Sequence, residues 1–140
     1  MSHTYDYPRP AVTTDVVLLA KEGESWQLLL IERANDPFKD HWALPGGFLD
    51  EDEAPMDGAL RELQEETGIT GVSLSPLGFW GAPGRDPRGH TVSLVFVARL
   101  EGEKPPAKAA DDAKNLAWHP VEDLPPLAFD HAEIVAEALG

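Results

Sequence analysis

The chain has 140 residues, enough for one well-packed domain and too few for two, and it has no cysteine, so disulfides, thiolate metal sites and a cysteine nucleophile are all excluded. Asp and Glu number 25 against 11 Lys and Arg, a net charge of −14, which argues against a nucleic-acid or anionic-lipid partner. No apolar run approaches the ~18 residues of a membrane span, and Met1 to Pro8 lacks a basic-then-apolar leader, so a cytoplasmic protein is expected.

In chain order, residues 1–10 read as an N-terminal arm, with Pro8 and Pro10 blocking helix. Val12–Ala20 and Trp26–Glu32 read as two strands joined by the Lys21–Ser25 turn, a hairpin. A loop from Asn35 to His41 leads to the short apolar stretch Trp42–Pro45, which Gly46 and Gly47 break. A helix follows, with Asp52 as N-cap and Pro55 in the first turn. Met56, Leu60, Leu63 and Thr67 form its buried stripe, and Gly68 stops it. Val72–Trp80 reads as extended and interrupted by Pro76, and residues 81–89 as a Gly/Pro/Arg loop. Thr91–Leu100 is the clearest strand, Leu116–Trp118 a short one, and His131–Leu139 a C-terminal helix. Strands and helices alternate without regular βαβ spacing, which predicts one α/β (α+β) domain over 1–140, a mixed sheet with helices on its faces.

One segment concentrates charge without local compensation. Glu62, Glu65 and Glu66 lie three and four residues apart and share a helix face, and Asp50, Glu51, Asp52 and Glu53 add acid just before it. Like charges at this spacing repel by ~0.2–0.5 kcal/mol per pair even on a solvated face, and Arg61 alone cannot neutralise them. Such clustered carboxylates occur as plain solvated faces, but they are also hard oxygen ligands suited to Mg²⁺ or Mn²⁺. A bound divalent cation would let an acidic protein hold an anionic substrate.

The spacing separates these readings. Gly47-x5-Glu53-x7-Arg61-Glu62-Leu63-x-Glu65-Glu66-x-Gly68-Ile69 fits the signature of the Nudix hydrolases without a gap, at seven fixed and two aliphatic positions spanning 47–69. The chain resembles that family, and the resemblance implies a Nudix-type α/β/α sandwich over nearly all of it. It implies cleavage of a nucleoside diphosphate linked to another moiety. Glu62, Glu65 and Glu66 would be metal ligands, helped by the Gly47 carbonyl, with one glutamate in some relatives acting as base. Glu53 and Arg61 would form an ion pair that orients the helix.

A second region narrows the substrate. Gly84-Arg85-Asp86-Pro87-Arg88-Gly89 places two arginines in a glycine-rich loop, which reads either as a diphosphate clamp or as a surface loop offsetting nearby acid. It resembles a loop of bacterial and archaeal ADP-ribose pyrophosphatases of the Nudix superfamily, in which a proline downstream of the box also recurs, a part Pro83 can play. The lead-in Asp36–Phe48 and the Asp111–Ala113 and Phe129–His131 stretches look similar to the same group. Arg85, Arg88, Pro83, Trp80 and Phe129 are therefore the expected substrate-binding residues. Asp111 and Asp112 read as a catalytic acid or as solvated loop residues, His131 as a capping or packing residue, and the four tryptophans as core or as base-stacking residues.

ADP-ribose, split to AMP and ribose 5-phosphate with Mg²⁺ or Mn²⁺, is the expected substrate. The alternatives are a MutT-type nucleoside triphosphate pyrophosphohydrolase and a non-catalytic ADP-ribose sensor. The box is intact and no basic surface accompanies it, which favours an enzyme over a sensor. A homodimer is expected by analogy with relatives.

Overall fold

The computed structural model describes residues 4–102, 104–108 and 113–140. In chain order the elements are β1 (Ala11–Glu22), β2 (Ser25–Arg33), β3 (Trp42–Ala43), β4 (Gly46–Phe48), α1 (Pro55–Thr67), β5 (Ser75–Trp80), β6 (Thr91–Leu100), β7 (Ala113–Pro120) and α2 (His131–Leu139).

Period-2 alternation along β1 decides the layering. Val17 and Leu19 point to one face, joining Leu28, Leu30, Val95 and Val97 against Ile134, Val135 and Ala138 of α2. Val16 and Leu18 point to the other, joining Leu29, Phe96 and Ala98 against Ala59 and Leu63 of α1. A mixed sheet thus carries one helix on each face, the predicted α/β/α arrangement. The central β1 pairs in parallel with β6 from Ala11↔Thr91 to Ala20↔Leu100, while the other pairings between these strands are antiparallel.

The β1–β2 hairpin is paired only beside its turn, from Leu19↔Leu28 to Glu22↔Ser25. Farther from the turn the two strands part and take new partners. β1 pairs with β4 through Thr13↔Phe48, Thr14↔Gly47 and Asp15↔Gly46. β2 pairs with β3 through Ile31↔Ala43 and Glu32↔Trp42. This split opens the sheet at its middle, and the segment leading to α1 fills part of the gap.

Several local expectations need correction. Asp52 is not the N-cap of α1: extended Ala54 holds that position without a side-chain cap, and Pro55 begins the helix. Asp52 lies outside, at a positive φ of 62°. Of the predicted stripe, Leu63 and Thr67 are fully buried, Met56 and Leu60 only partly, whereas Gly58 and Ala59 are buried too. A Cβ at Gly58 would come within 2.5 Å of Leu49 Cδ1, so a larger residue there must displace the Leu49 side chain. The strand expected from Val72 begins only at Ser75, and its register shifts between Pro76 and Gly78. Proline has no N–H for the ladder, which suits this strand's place at the end of the sheet order. β7 is longer than Leu116–Trp118, because it pairs with β2 from Asn115 to Pro120 and, across a register shift, at Ala113. No helix of the described residues is long and apolar enough to cross a membrane.

Candidate functional site

The split sheet opens into a cleft of about 450 Å³. β1 lines it with Thr13 and Asp15, β2 with Ile31 and Arg33, and the β3–β4 segment with Ala43, Leu44, Gly46, Gly47 and Phe48. Glu62, Glu65 and Glu66 of α1 face the same cleft, as do Arg85, Asp86 and Arg88 of the β5–β6 loop and Phe129 and His131 at the start of α2. Elements far apart in sequence therefore meet in one place.

The acidic side is organised by Arg61. Its Nε and Nη2 donate to the two carboxylate oxygens of Glu53 at 2.7 and 2.9 Å. Nη1 donates to Glu62 at 2.8 Å and to Glu65 at 3.2 Å, and Nη2 reaches the Phe48 carbonyl at 3.2 Å. The structure brings Glu53 and Arg61 together as the predicted pair, outside the cleft lining. The Arg61 bonds hold the Glu53 carboxyl below its usual range, whereas burial raises that of Glu62. Glu66 accepts the Gly46 N–H at 2.6 Å, which fastens α1 to β4. Gly47 leaves the space that Glu62 fills: a Cβ there would lie 2.5 Å from Glu62 Oε2.

This set suits a hard divalent ion by donor type and by the close approach of the Gly47 backbone to Glu62. The carboxylates are drawn onto Arg61 and Gly46, and no acids or histidines among the described residues are grouped to hold an ion as they stand. Glu65, whose side chain is 58% exposed, is free to turn at little cost.

The arginine loop differs from its expected role. Arg85 is buried, its side chain 5% exposed, and its fork is spent on Asp130: Nε and Nη2 donate to the two carboxylate oxygens at 2.8 and 2.6 Å. Nη1 donates to Ser93 Oγ at 2.9 Å. Arg85 therefore braces the loop against α2, and no free fork remains for a diphosphate. Arg88 is tied to buried Asp86 through Nε and Nη2, yet its side chain stays 45% exposed in the cleft. Its guanidinium lies 5.4 Å from the Phe48 ring centroid and 5.5 Å from that of Phe129. Phe129, expected from the sequence to bind substrate, lines this cleft. Pro83 is exposed and Trp80 packs against the core, so neither lines the cleft. All four tryptophans pack against the core clusters and none lines the cleft. Asp111 and Asp112 lie outside the described residues.

Sequence reasoning misses Arg33, whose Nε donates to the Pro37 carbonyl at 2.7 Å and whose guanidinium lies 5.0 Å from the Phe129 ring centroid. Burial and the neighbouring Arg88 lower its pKa, the mark of two cations sharing one wall. It misses Asp15 as well. Burial raises that carboxyl to about 7, against the opposing pull of the Ser93 hydroxyl bond and of Arg85. A carboxylate inside the apolar run of β1 is the available signal.

Comparison with known proteins agrees with this geometry. The NUDIX domain family matches residues 9–138. The chain is 42% identical to an ADP-ribose pyrophosphatase of Methanocaldococcus jannaschii, over 94% of this chain and 74% of that protein. It is 36% identical to the ADPR responsive transcriptional repressor NtrR of Acinetobacter baylyi, over 96% of this chain but only 55% of the repressor. Among solved structures, the NUDIX domain of Shewanella oneidensis NrtR complexed with ADP ribose superposes with a TM-score of 0.88 at 31% identity, covering 96% of this chain and 92% of that one.

Two stability measurements check this account. Arg61→Ala leaves the carboxylates of Asp50, Glu53, Glu62 and Glu65 around one vacated position, so both melting temperature and turnover fall; lost turnover at an unchanged melting temperature would instead place Arg61 in the chemistry. His131 provides the second. Burial lowers its pKa from 6.5 to about 4. Below 6.5 the unfolded chain takes up a proton that the native ring refuses, so stability present above 6.5 is lost as pH falls toward 4. His131→Asn, which keeps an acceptor but does not titrate, should flatten the acid limb of the melting-temperature profile; an unchanged slope removes His131 from that linkage.

Proposed function

Since the chain belongs to the Nudix family, we propose that it is an ADP-ribose pyrophosphatase. Water is added across the P–O–P anhydride of ADP-ribose, giving AMP and ribose 5-phosphate. The observation that carries this reading is the pairing, in one cleft, of the acidic face of α1 with Arg33, Arg88 and Phe129. A diphosphate needs positive charge around it, and a nucleoside needs an apolar, aromatic surface. The cleft offers both beside the carboxylates. The names of the pyrophosphatase relative and of the ADP ribose complex support the same ligand.

Glu62, Glu65, Glu66 and the Gly47 carbonyl would hold Mg²⁺ or Mn²⁺, which when bound supplies charge neutralisation on the phosphoryl oxygens and acidifies water. The protein's own groups do the rest. Glu66, through the Gly46 N–H, fixes the approach of β4 to α1. Glu53 holds Arg61, and Arg61 sets the rotamers of Glu62 and Glu65. Arg33 and Arg88 are the cations offered to the diphosphate, with Arg85 as the brace behind them.

The repressor relative favours a second reading, ADP-ribose binding without turnover. A nucleotide panel with Mg²⁺ or Mn²⁺ and product identification separates the two. ADP-ribose should lead in kcat/KM and release AMP. A nucleoside triphosphate ahead by about tenfold, with pyrophosphate released, would make the protein a triphosphate pyrophosphohydrolase, and tight binding without products would make it a sensor. Glu65→Gln and Glu66→Gln remove a ligand charge while keeping shape, and in the second variant the amide oxygen still accepts the Gly46 N–H. Each should lower kcat on the order of 100-fold with the fold intact; near-wild-type turnover at saturating metal would displace the site from α1.

A further inference from the structure

His131 is buried, 5% exposed, yet lines the cleft. One hydrogen bond fixes its ring: the Leu44 backbone N–H donates to Nδ1 at 3.1 Å. An amide nitrogen can only donate, so Nδ1 carries the lone pair and the proton of the neutral ring sits on Nε2. Burial keeps the ring neutral, as its lowered pKa indicates. The buried side-chain polar atoms without a partner, among the described residues, are Thr14 Oγ1 and His119 Nε2. His131 Nε2 is not among these sealed atoms and finds no acceptor among the described residues. It is an N–H donor presented at the wall of the cleft.

Its surroundings define what it can meet. The Phe129 ring lies 5.5 Å from the imidazole, Ile31, Ala43 and Leu44 line the same cleft, and the charges of Asp130, Arg85 and Arg33 reach the ring, the arginines leaving a phosphate better partners than a neutral imidazole. A neutral donor beside an aromatic face and aliphatic side chains is a poor match for a phosphate, which a cation serves better. It is a good match for a planar heterocycle, whose face stacks on a ring and whose edge nitrogens accept hydrogen bonds.

We propose that His131 is a specificity-determining residue whose Nε2–H donates to a ring nitrogen of the purine base of the bound nucleotide, with the base beside Phe129. This rests on the nucleotide reading above, though not on ADP-ribose being the preferred nucleotide.

Two substitutions divide the ring's roles. Asn at 131 places an oxygen near the Nδ1 position, where it accepts the Leu44 N–H, but has no donor at the Nε2 position. Gln reaches the Nε2 position with its amide N–H but leaves Leu44 unpaired. On the best nucleotide of the panel, His131→Asn should keep a melting temperature near that of the wild type at neutral pH and raise KM about tenfold, with kcat within about twofold. His131→Gln should lower the melting temperature and bring KM back toward the wild-type value. Of the 1-, 3- and 7-deaza purine analogues, one should cost the wild type about tenfold in KM and cost His131→Asn nothing further. Wild-type and Asn proteins with equal KM, or with equal responses to all three analogues, would overturn the proposal. Should His131→Asn fail to fold, a Gln variant that is less stable but keeps the deaza preference supports it, and one indifferent to the analogues overturns it. A wild type that prefers a purine triphosphate overturns the ADP-ribose reading alone, since the same comparison runs on that nucleotide. A wild type that neither turns over nor binds any nucleotide overturns both; one that binds without turnover moves the same comparison from KM to Kd.

Discussion

The cleft depends on the parting of β1 from β2. A hairpin paired along its whole length would seal the sheet. Here the ladder stops at Leu19↔Leu28, and each strand completes its hydrogen bonding with a piece of the Trp42–Phe48 segment. Buried backbone groups need partners, so opening the sheet requires a segment that satisfies both new edges. Gly46 is suited to this, because a Cβ there would lie 2.2 Å from the Thr14 carbonyl oxygen. The same segment then leads into α1, so the strand that fills the gap also delivers the carboxylates to its rim.

Charge is arranged unevenly around this opening. On the α1 side, Arg61 meets Glu53, Glu62, Glu65 and Asp50, so acid is left in excess. Across the loop side, Arg85 and Arg88 are each matched by an aspartate, Asp130 and Asp86. Those pairs fix geometry more than they add positive charge. Arg33 adds a cation whose Nε bonds a neutral carbonyl and which feels Asp86 and Glu66 only through space, with no ion pair of its own among those described. A chain of net charge −14 can thus present a locally cationic wall without a basic surface.

What is legible in the sequence follows the range of the interactions involved. The acidic helix can be read because its residues are fixed by helical spacing, and its Glu53–Arg61 pair spans only eight positions. The strands with alternating apolar residues and the C-terminal helix can be read for the same reason. Arg85 is misjudged because its partner Asp130 lies 45 residues away, and nothing local distinguishes a braced guanidinium from a free one. Arg33 passes for the end of a strand, since its place in the cleft comes from the split of the sheet. Trp80 and Pro83 sit near Arg85 in sequence, but Trp80 packs against the core and Pro83 is exposed in the loop beyond β5. Asp52 resembles a cap by residue type, while the turn that feeds Arg61 with Glu53 displaces it.

The long parallel ladder between β1 and β6 has a consequence for how the protein is made. Thr13 and Ser93 touch across it at a separation of 80 residues. Such non-local pairing closes slowly, because the entropy of the intervening chain is lost before the contacts form. The box helix is local and needs only its own stretch of chain. During synthesis the carboxylates of α1 are thus in place on the chain well before the strand that completes the floor beneath them has been translated. The nascent protein passes through a stage in which its most acidic segment exists with Arg33 and Arg61 but without Arg85, Arg88 and Phe129, which later face it.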